Sequence, residues 1–268
     1  MQIDAPSDWR CVDFISDLHL HESAPQTQAA CADYLQHTPA SALFILGDLF
    51  EVWVGDDALA QASPFVRRCV AMLHAAAQRM PLYIMVGNRD FLMGPQLMAA
   101  CGASALPDPS ILVFDTQRWL LSHGDALCLD DHPYQAFRTQ VRSAAWQSQF
   151  LSMPLAQRQA MARDIRTQSE LNKQSGSSYA DLDPTACLNW LNQHQASHMI
   201  HGHTHQPAQH ALAPGCTRTV LSDWDLQAQP PRAEVLRLCL AVDGAGTGSA
   251  QLRRLNLAAA MAAPRSAD

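Results

Sequence analysis

The 268-residue chain is 48% hydrophobic and 16% charged, which excludes a disordered polymer and suits one large core, alone or with a small appended unit. A net charge of −7 argues against broad, non-specific binding to nucleic acid, and no protein partner is evident. No apolar run approaches the roughly 18 residues that a membrane-spanning helix needs, and Asp4 and Asp8 stand where a leader would be apolar, so the expectation is a soluble cytoplasmic protein.

Eight cysteines are scattered without a C-x-x-C pair, several of them inside apolar runs. They read as reduced thiols acting as small hydrophobes rather than as a disulfide framework.

In chain order, residues 12–15 read as a short buried strand ending in Ser16-Asp17-Leu18-His19. A helix is expected over 26–37, then a second strand over 42–46 that ends in Gly47-Asp48. Residues 49–59 are loop-like and acidic. Ser63-Pro64 has the form of an N-cap and first helical residue, and Phe65, Val66, Cys69, Val70, Leu73 and Ala77 give one apolar face to a helix reaching about 79. A third strand, 82–86, ends in Gly87-Asn88-Arg89-Asp90, and a short helix follows over 95–101. Residues 111–114 and 118–121 form a hairpin pattern whose second strand ends in Ser122-His123-Gly124-Asp125.

The character changes over residues 133–182. Strand signals vanish, and Phe137, Val141, Trp146, Phe150 and Leu151 recur at helical spacing. Two or three helices inserted as a cap are expected there, returning through residues 175–178. The core would then comprise 1–132 and 183–257. Asp183-Pro184 opens a helix to 194, and a strand from 197 runs into Ile200-His201-Gly202-His203-Thr204-His205. If that segment is extended, His203 and His205 point to one side, with Gly202 leaving room. Residues 217–221, 234–242 and 251–257 read as antiparallel strands, and 258–268 as a frayed tail.

Five buried strands thus end in groups that bind cations, and loops after parallel strands gather along one sheet edge. Taken singly, Asp17 or Asp48 is an ordinary turn residue and His123 an ordinary buried histidine. Jointly, Asp17, His19, Asp48, Asn88, His123, His203 and His205 form an oxygen and imidazole set without thiolate. Such a set suits Mn²⁺ or Fe²⁺, with Zn²⁺ a further candidate. Seven donors are too many for one such ion and suit two ions about 3.5–4 Å apart sharing a carboxylate.

Asp17-Leu18-His19, Gly47-Asp48-Leu49, Gly87-Asn88-Arg89-Asp90, His123-Gly124-Asp125 and Gly202-His203-Thr204-His205, in that order, resemble the motifs of the calcineurin-like metallophosphoesterases. The resemblance spans roughly residues 10–257. It implies an α/β (α+β) sandwich of two packed mixed β-sheets flanked by helices. It implies two Mn²⁺ ions, one held by Asp17, His19, Asp48 and His205 and the other by Asp48, Asn88, His123 and His203.

Arg89 stands where most members of that family have histidine. With residues 47–57 and 123–131, it resembles the branch that cleaves the pyrophosphate of UDP-2,3-diacylglucosamine in lipid A biosynthesis, at the cytoplasmic face of the inner membrane. By that resemblance Asn88, Arg89 and His203 act in catalysis, and Asn88, Arg89, Asp131, Ser169, Asn172, Lys173 and His203 contact substrate. Arginine suits the task, because its planar fork grips phosphate oxygens as a fixed cation. Apolar cap residues such as Phe137, Val141, Phe150 and Met153 are expected to shelter acyl chains. Arg138, Arg142, Arg158, Arg163 and Arg166 are expected to approach anionic lipid. The rival readings are a related phosphodiesterase with another substrate and a non-catalytic scaffold, which would be expected to have lost ligands.

Overall fold

In a computed structural model, residues 1–174, 180–240 and 250–262 are described, with the helix path but not the side chains given for 166–174. Two six-stranded sheets form the frame. One runs in the order β12 (Ala250–Asn256), β11 (Glu234–Leu240), β2 (Cys11–Ile15), β3 (Ala42–Leu46), β4 (Leu82–Met85), β5 (Ser104–Ala105). The other runs β1 (Gln2–Asp4), β6 (Ser110–Phe114), β7 (Gln117–Ser122), β8 (His198–His201), β10 (Cys216–Val220), β9 (Gln209–Ala213).

β2, β3 and β4 are mutually parallel, as are β7, β8 and β10. β2 and β3 are buried along their whole length, which is why they read as unbroken apolar runs. Val12, Phe14, Phe44 and Leu46 face Leu112, Phe114, Trp119, Leu121 and Ile200 across the space between the sheets. Phe44 stacks between Phe14 and Tyr83 at ring distances of 5.3 and 4.8 Å.

Helices cover both outer faces. α1 (Pro25–His37), α2 (Pro64–Ala77) and α3 (Pro95–Cys101) pack on the first sheet through Cys31, Leu35, Phe65, Leu73 and Leu97. Ser63 accepts a hydrogen bond from the Val66 amide and caps α2, as the Ser-Pro pair predicts. After β7 come α4 (His132–Val141), α5 (Ala144–Leu151) and α6 (Leu155–Gln174), before α7 (Pro184–Gln193) returns the chain to β8 on the second sheet's outer face. No helix among the described residues is long and apolar enough to cross a membrane.

Three expectations change. β10 is parallel to β8 and antiparallel only to β9, because a hairpin not legible as strand follows the histidines and lays its second arm beside β8. The segment after β12 is helical rather than frayed over α8 (Leu257–Met261), where Asn256 caps the turn and Ala260 is buried. Of the expected tail, 263–268 lie outside the described residues, as do 175–178 of the return loop. Cys11 and Cys239 lie directly opposite in the β2–β11 register and form a disulfide, while Cys31, Cys69, Cys101, Cys128 and Cys187 are free and buried.

Candidate active site

The C-terminal ends of β2, β3 and β4 meet those of β7 and β8 along one edge of the frame, and each carries candidate ligands into the loop beyond it. Asp17, His19, Asp48, His203 and His205 all have left-handed backbone, with φ between 46° and 69°. Such conformations are uncommon outside glycine and persist where surrounding structure holds them. The packing is tight. A Cβ on Gly87 would meet Asp48 Oδ1 at 2.0 Å, and one on Gly202 would meet Asp17 Oδ2 at 2.4 Å.

All seven expected ligands come together. His205 Nε2 lies 3.3 Å from Asp17 Oδ1 and 3.4 Å from His19 Nε2. Asn88 Oδ1 lies 3.0 Å from His123 Nε2 and 2.9 Å from His203 Nδ1. Asp48 stands between the two groups, with one carboxylate oxygen 3.8 Å from His19 Nε2 and the other 3.8 Å from His123 Nε2. Atoms of Asp17, His19 and His205, and again of Asp17, Asp48 and His123, lie within 4.8 Å of one another, the spacing a metal ion requires. The extended reading of the histidine triplet is corrected. With φ of 69° and 54°, His203 and His205 turn apart and serve different groups. His201, fully buried, faces its own Gly202 carbonyl and Arg218, and burial drives its pKa down to about 3.

The ring orientations and the buried carboxylates make a case for a cation. His123 Nδ1 donates to the Leu46 carbonyl at 2.9 Å, which leaves Nε2 as the nitrogen that faces the Asn88 oxygen. His19 Nδ1 lies 3.0 Å from a Glu51 carboxylate oxygen, which leaves its Nε2 as the nitrogen facing His205 and Asp48. The carboxylates of Asp17 and Asp48, both buried and crowded into one site, are stable around positive charge. The same field acts on the histidines themselves. Burial opposes charge on His123, yet Asp48, Asp17 and Asp125 outweigh it and push its pKa up to about 9. Burial also opposes ionisation of Asp17, but His205, His123 and His19 hold its carboxyl well below the usual range. Burial, reinforced by His123, pushes His203 down to about 4. These donors fit divalent metal.

Arg89 follows Asn88 into the site. Its amide donates to Asp48 Oδ1 at 2.8 Å, and its guanidinium lies 3.9 Å from Glu51. Asp131 is half-buried and caps α4 through the Tyr134 amide. Ser169, Asn172 and Lys173 lie on the last turns of α6, where side chains are outside the described residues.

Two supporting carboxylates escaped the sequence reading. Glu51 backs His19, and Asp223 lies 3.7 Å from His205 Nδ1. Glu51 sits in the acidic loop, which flags it weakly. Asp223 comes from a segment beyond β10 with no local signal.

Three of the arginines expected to face lipid are turned to the protein instead, while Arg163 is exposed at the edge of a cavity. Arg138 and Arg142 reach Asp125, and Arg158 is 1% exposed, bonded to Asp57 and the Val54 carbonyl. Arg166 lies outside the described side chains. Val141 and Phe150 are buried core, whereas a cavity of about 380 Å³ opens between the 50–54 loop, α2 and α6, lined by Leu20, Phe50, Val52, Phe65, Val66 and Ala162.

The calcineurin-like phosphoesterase profile matches residues 12–207. UDP-2,3-diacylglucosamine hydrolase of Chromobacterium violaceum is 45% identical over 217 residues, covering 80% of this chain and 90% of that protein. The enzyme of that name from Bordetella parapertussis is 43% identical over 81% of this chain and 87% of its own length. The one from Stenotrophomonas maltophilia is 42% identical, over 82% and 94%. With the profile spanning every strand-end motif from Asp17 to His205 and these relatives matching most of both lengths, the protein belongs to the calcineurin-like phosphoesterase family.

Proposed function

We propose that the protein hydrolyses the pyrophosphate bond of UDP-2,3-diacylglucosamine, releasing UMP and 2,3-diacylglucosamine 1-phosphate. The observation that carries the reading is the convergence of seven oxygen and imidazole donors beside an arginine that follows Asn88. Relatives alike over most of their length carry the matching name, which supports the substrate. Two Mn²⁺ ions are the cofactors proposed, with Asp48 shared between Asp17, His19 and His205 on one side and Asn88, His123 and His203 on the other. Bound there, they would neutralise phosphate oxygens and make water a competent nucleophile near neutral pH.

The chain's own residues do the rest. Arg89 offers a permanent cation to the phosphoryl oxygens as charge builds in the transition state. The Asn88 amide, held through its oxygen among His123 and His203, fixes the loop that presents Arg89. His203 stays neutral at physiological pH, since its pKa lies near 4, and so keeps a lone pair for metal or substrate. Asp131, Ser169 and Asn172 or Lys173 would bind the glucosamine part, and residues 133–182, with nearly all of α4 and the whole of α5 and α6, would form the cap over the site. The cavity lined by Leu20, Phe50 and Val66 offers apolar volume to an acyl chain. Residence at the cytoplasmic face of the inner membrane follows from that substrate.

Removal and return of metal tests the reading. Protein stripped by chelator should leave UDP-2,3-diacylglucosamine intact, and Mn²⁺ should restore cleavage better than Mg²⁺. Full turnover by protein free of metal on elemental analysis would overturn it.

A further inference from the structure

Asp125 is fully buried immediately beyond His123, and the base of α4 closes on it. Tyr134 donates its hydroxyl to Asp125 Oδ2 at 2.5 Å, and Arg138 Nε donates to the same oxygen at 2.8 Å. Gln135 binds the Asp125 and Cys128 carbonyls at 2.8 and 3.1 Å. The arrangement does not stop at the helix. Arg142, one turn on at the end of α4, lies 3.9 Å from Asp125 Oδ2 and donates to the backbone carbonyl of Gly87 at 2.8 Å. Its guanidinium also lies 5.2 Å over the Phe91 ring. Arg142 therefore spans from the His123 loop to the loop that carries Asn88 and Arg89.

The remaining anchors of that second loop come from the core. Asp90 accepts from the Gly87 amide at 2.7 Å, Asp48 accepts from the Arg89 amide at 2.8 Å, and the Trp53 amide donates to the Arg89 carbonyl at 3.3 Å. The Gly87 carbonyl precedes Asn88 directly, so rotation of that peptide plane would swing the Asn88 side chain away from His123 and His203. Gly87 has no Cβ to resist the rotation, and a Cβ cannot be added because Asp48 occupies its place.

We propose that Arg142 is a positioning residue, which locks the Gly87 peptide so that Asn88 and Arg89 stay aimed at the reacting phosphate and ties their placement to the seating of α4. The proposal rests on the phosphoesterase reading for its catalytic consequence, but the loop order it predicts is measurable without turnover.

The test compares the parent, Arg142→Ala, Arg142→Lys, Arg89→Ala and the Arg142→Ala/Arg89→Ala double variant, all loaded with Mn²⁺. Amide hydrogen exchange is followed over residues 86–93, with residues 12–19 as the reference, and turnover of bis(4-nitrophenyl) phosphate is measured beside it. Arg142→Ala should speed exchange in 86–93 and leave 12–19 unchanged. It should lower kcat by about 10–100-fold with KM within about twofold, the scale of losing outer-shell support. Arg142→Lys should recover part of both effects. Because part of the Arg142 effect runs through Arg89, the double variant should lose less than the product of the two single losses, the remainder being the share carried by Asn88. Unchanged exchange in 86–93, or losses that multiply in the double variant, would overturn the proposal. Faster exchange in a series whose parent fails to turn over any phosphoester would leave the loop lock standing and reject the phosphoesterase reading instead.

Discussion

His123 Nδ1 lies 2.9 Å from the carbonyl of Leu46, the last residue of β3. A carbonyl only accepts, so this contact places a proton on Nδ1 and directs Nε2 toward Asn88 and Asp48. The last turn of one sheet thereby sets the chemistry of a histidine from the other. Glu51 lies beside the outer nitrogen of His19, its carboxylate 3.0 Å from Nδ1. The donor set is thus oriented before any ligand arrives, which is the condition for tight and selective metal binding.

That orientation can be weakened without touching a ligand. Glu51→Gln keeps the size of the side chain but loses the charge that holds His19 Nδ1. Mn²⁺ affinity should fall by about 10–100-fold, the usual cost of losing a partner behind a ligand. Competition with a chromogenic chelator measures it, and affinity equal to the parent's would show that Glu51 is dispensable for the site.

Arg89 is expected to act on the transition state. Arg89→Ala should lower kcat by about 10²–10³-fold, the scale of losing one preorganised electrostatic group. Metal content should match the parent's, because only the backbone of Arg89 touches Asp48. A variant that binds substrate weakly yet turns over normally at saturation would assign Arg89 to binding alone.

The cavity below α6 carries the acyl-chain prediction. Val66 lines it from α2, and Val66→Trp should fill part of its volume of about 380 Å³. Excluding four methylenes forfeits about 3 kcal/mol, on the order of 100-fold in kcat/KM for the diacylated substrate. Hydrolysis of bis(4-nitrophenyl) phosphate should be spared. Equal losses on both substrates in a variant with parental Tm would show that the cavity does not read lipid.

Arg158 ties α6 to the 50–57 loop. It donates to the carbonyls of Met153 and Val54 and to the carboxylate of Asp57. Arg158→Met should destabilise the protein by about 2–3 kcal/mol, because the Val54 carbonyl loses a buried donor. The contact also has a pH signature. Hydrogen bonding to Arg158 lowers the Asp57 pKa below its ordinary 3.8. The ion pair's contribution is therefore complete above that ordinary value and disappears as pH falls through the lower, folded one. Since Asp57 is exposed, that contribution is small. Melting curves of parent and variant should lie further apart at pH 7 than at pH 3, and a constant gap would exclude the ion pair as part of the effect.

The convergence of the seven donors was legible because each apolar run breaks into a short polar triplet at its end. Asp17, Asp48 and His123 follow buried strands directly, so strand order and burial place them. Their backbone was not legible. Nothing in Gly202-His203-Thr204-His205 announces two left-handed histidines, and the extended reading sent both rings to one place. Asp223 lay hidden because it reaches His205 from a distant segment. Arg138, Arg142 and Arg158 misled for another reason. Their spacing fits a solvated helix face as well as an inward one, and the partners that decide, Asp125, Asp57 and the Gly87 carbonyl, belong to other elements. Cys11 and Cys239 stand 228 residues apart, and only the β2–β11 register makes them neighbours.

The central claim is hydrolysis of a lipid-bearing UDP-sugar at the Asp48-centred site, and one measurement meets it most directly. Mn²⁺-loaded protein is incubated with UDP-2,3-diacylglucosamine in ¹⁸O-labelled water, and the products are weighed by mass spectrometry. The account predicts UMP and 2,3-diacylglucosamine 1-phosphate in equal amounts, with one ¹⁸O atom in one of the two phosphates and none in the other. Intact substrate after incubation with fully metallated protein, or products formed equally well by Asp48→Ala, would contradict it.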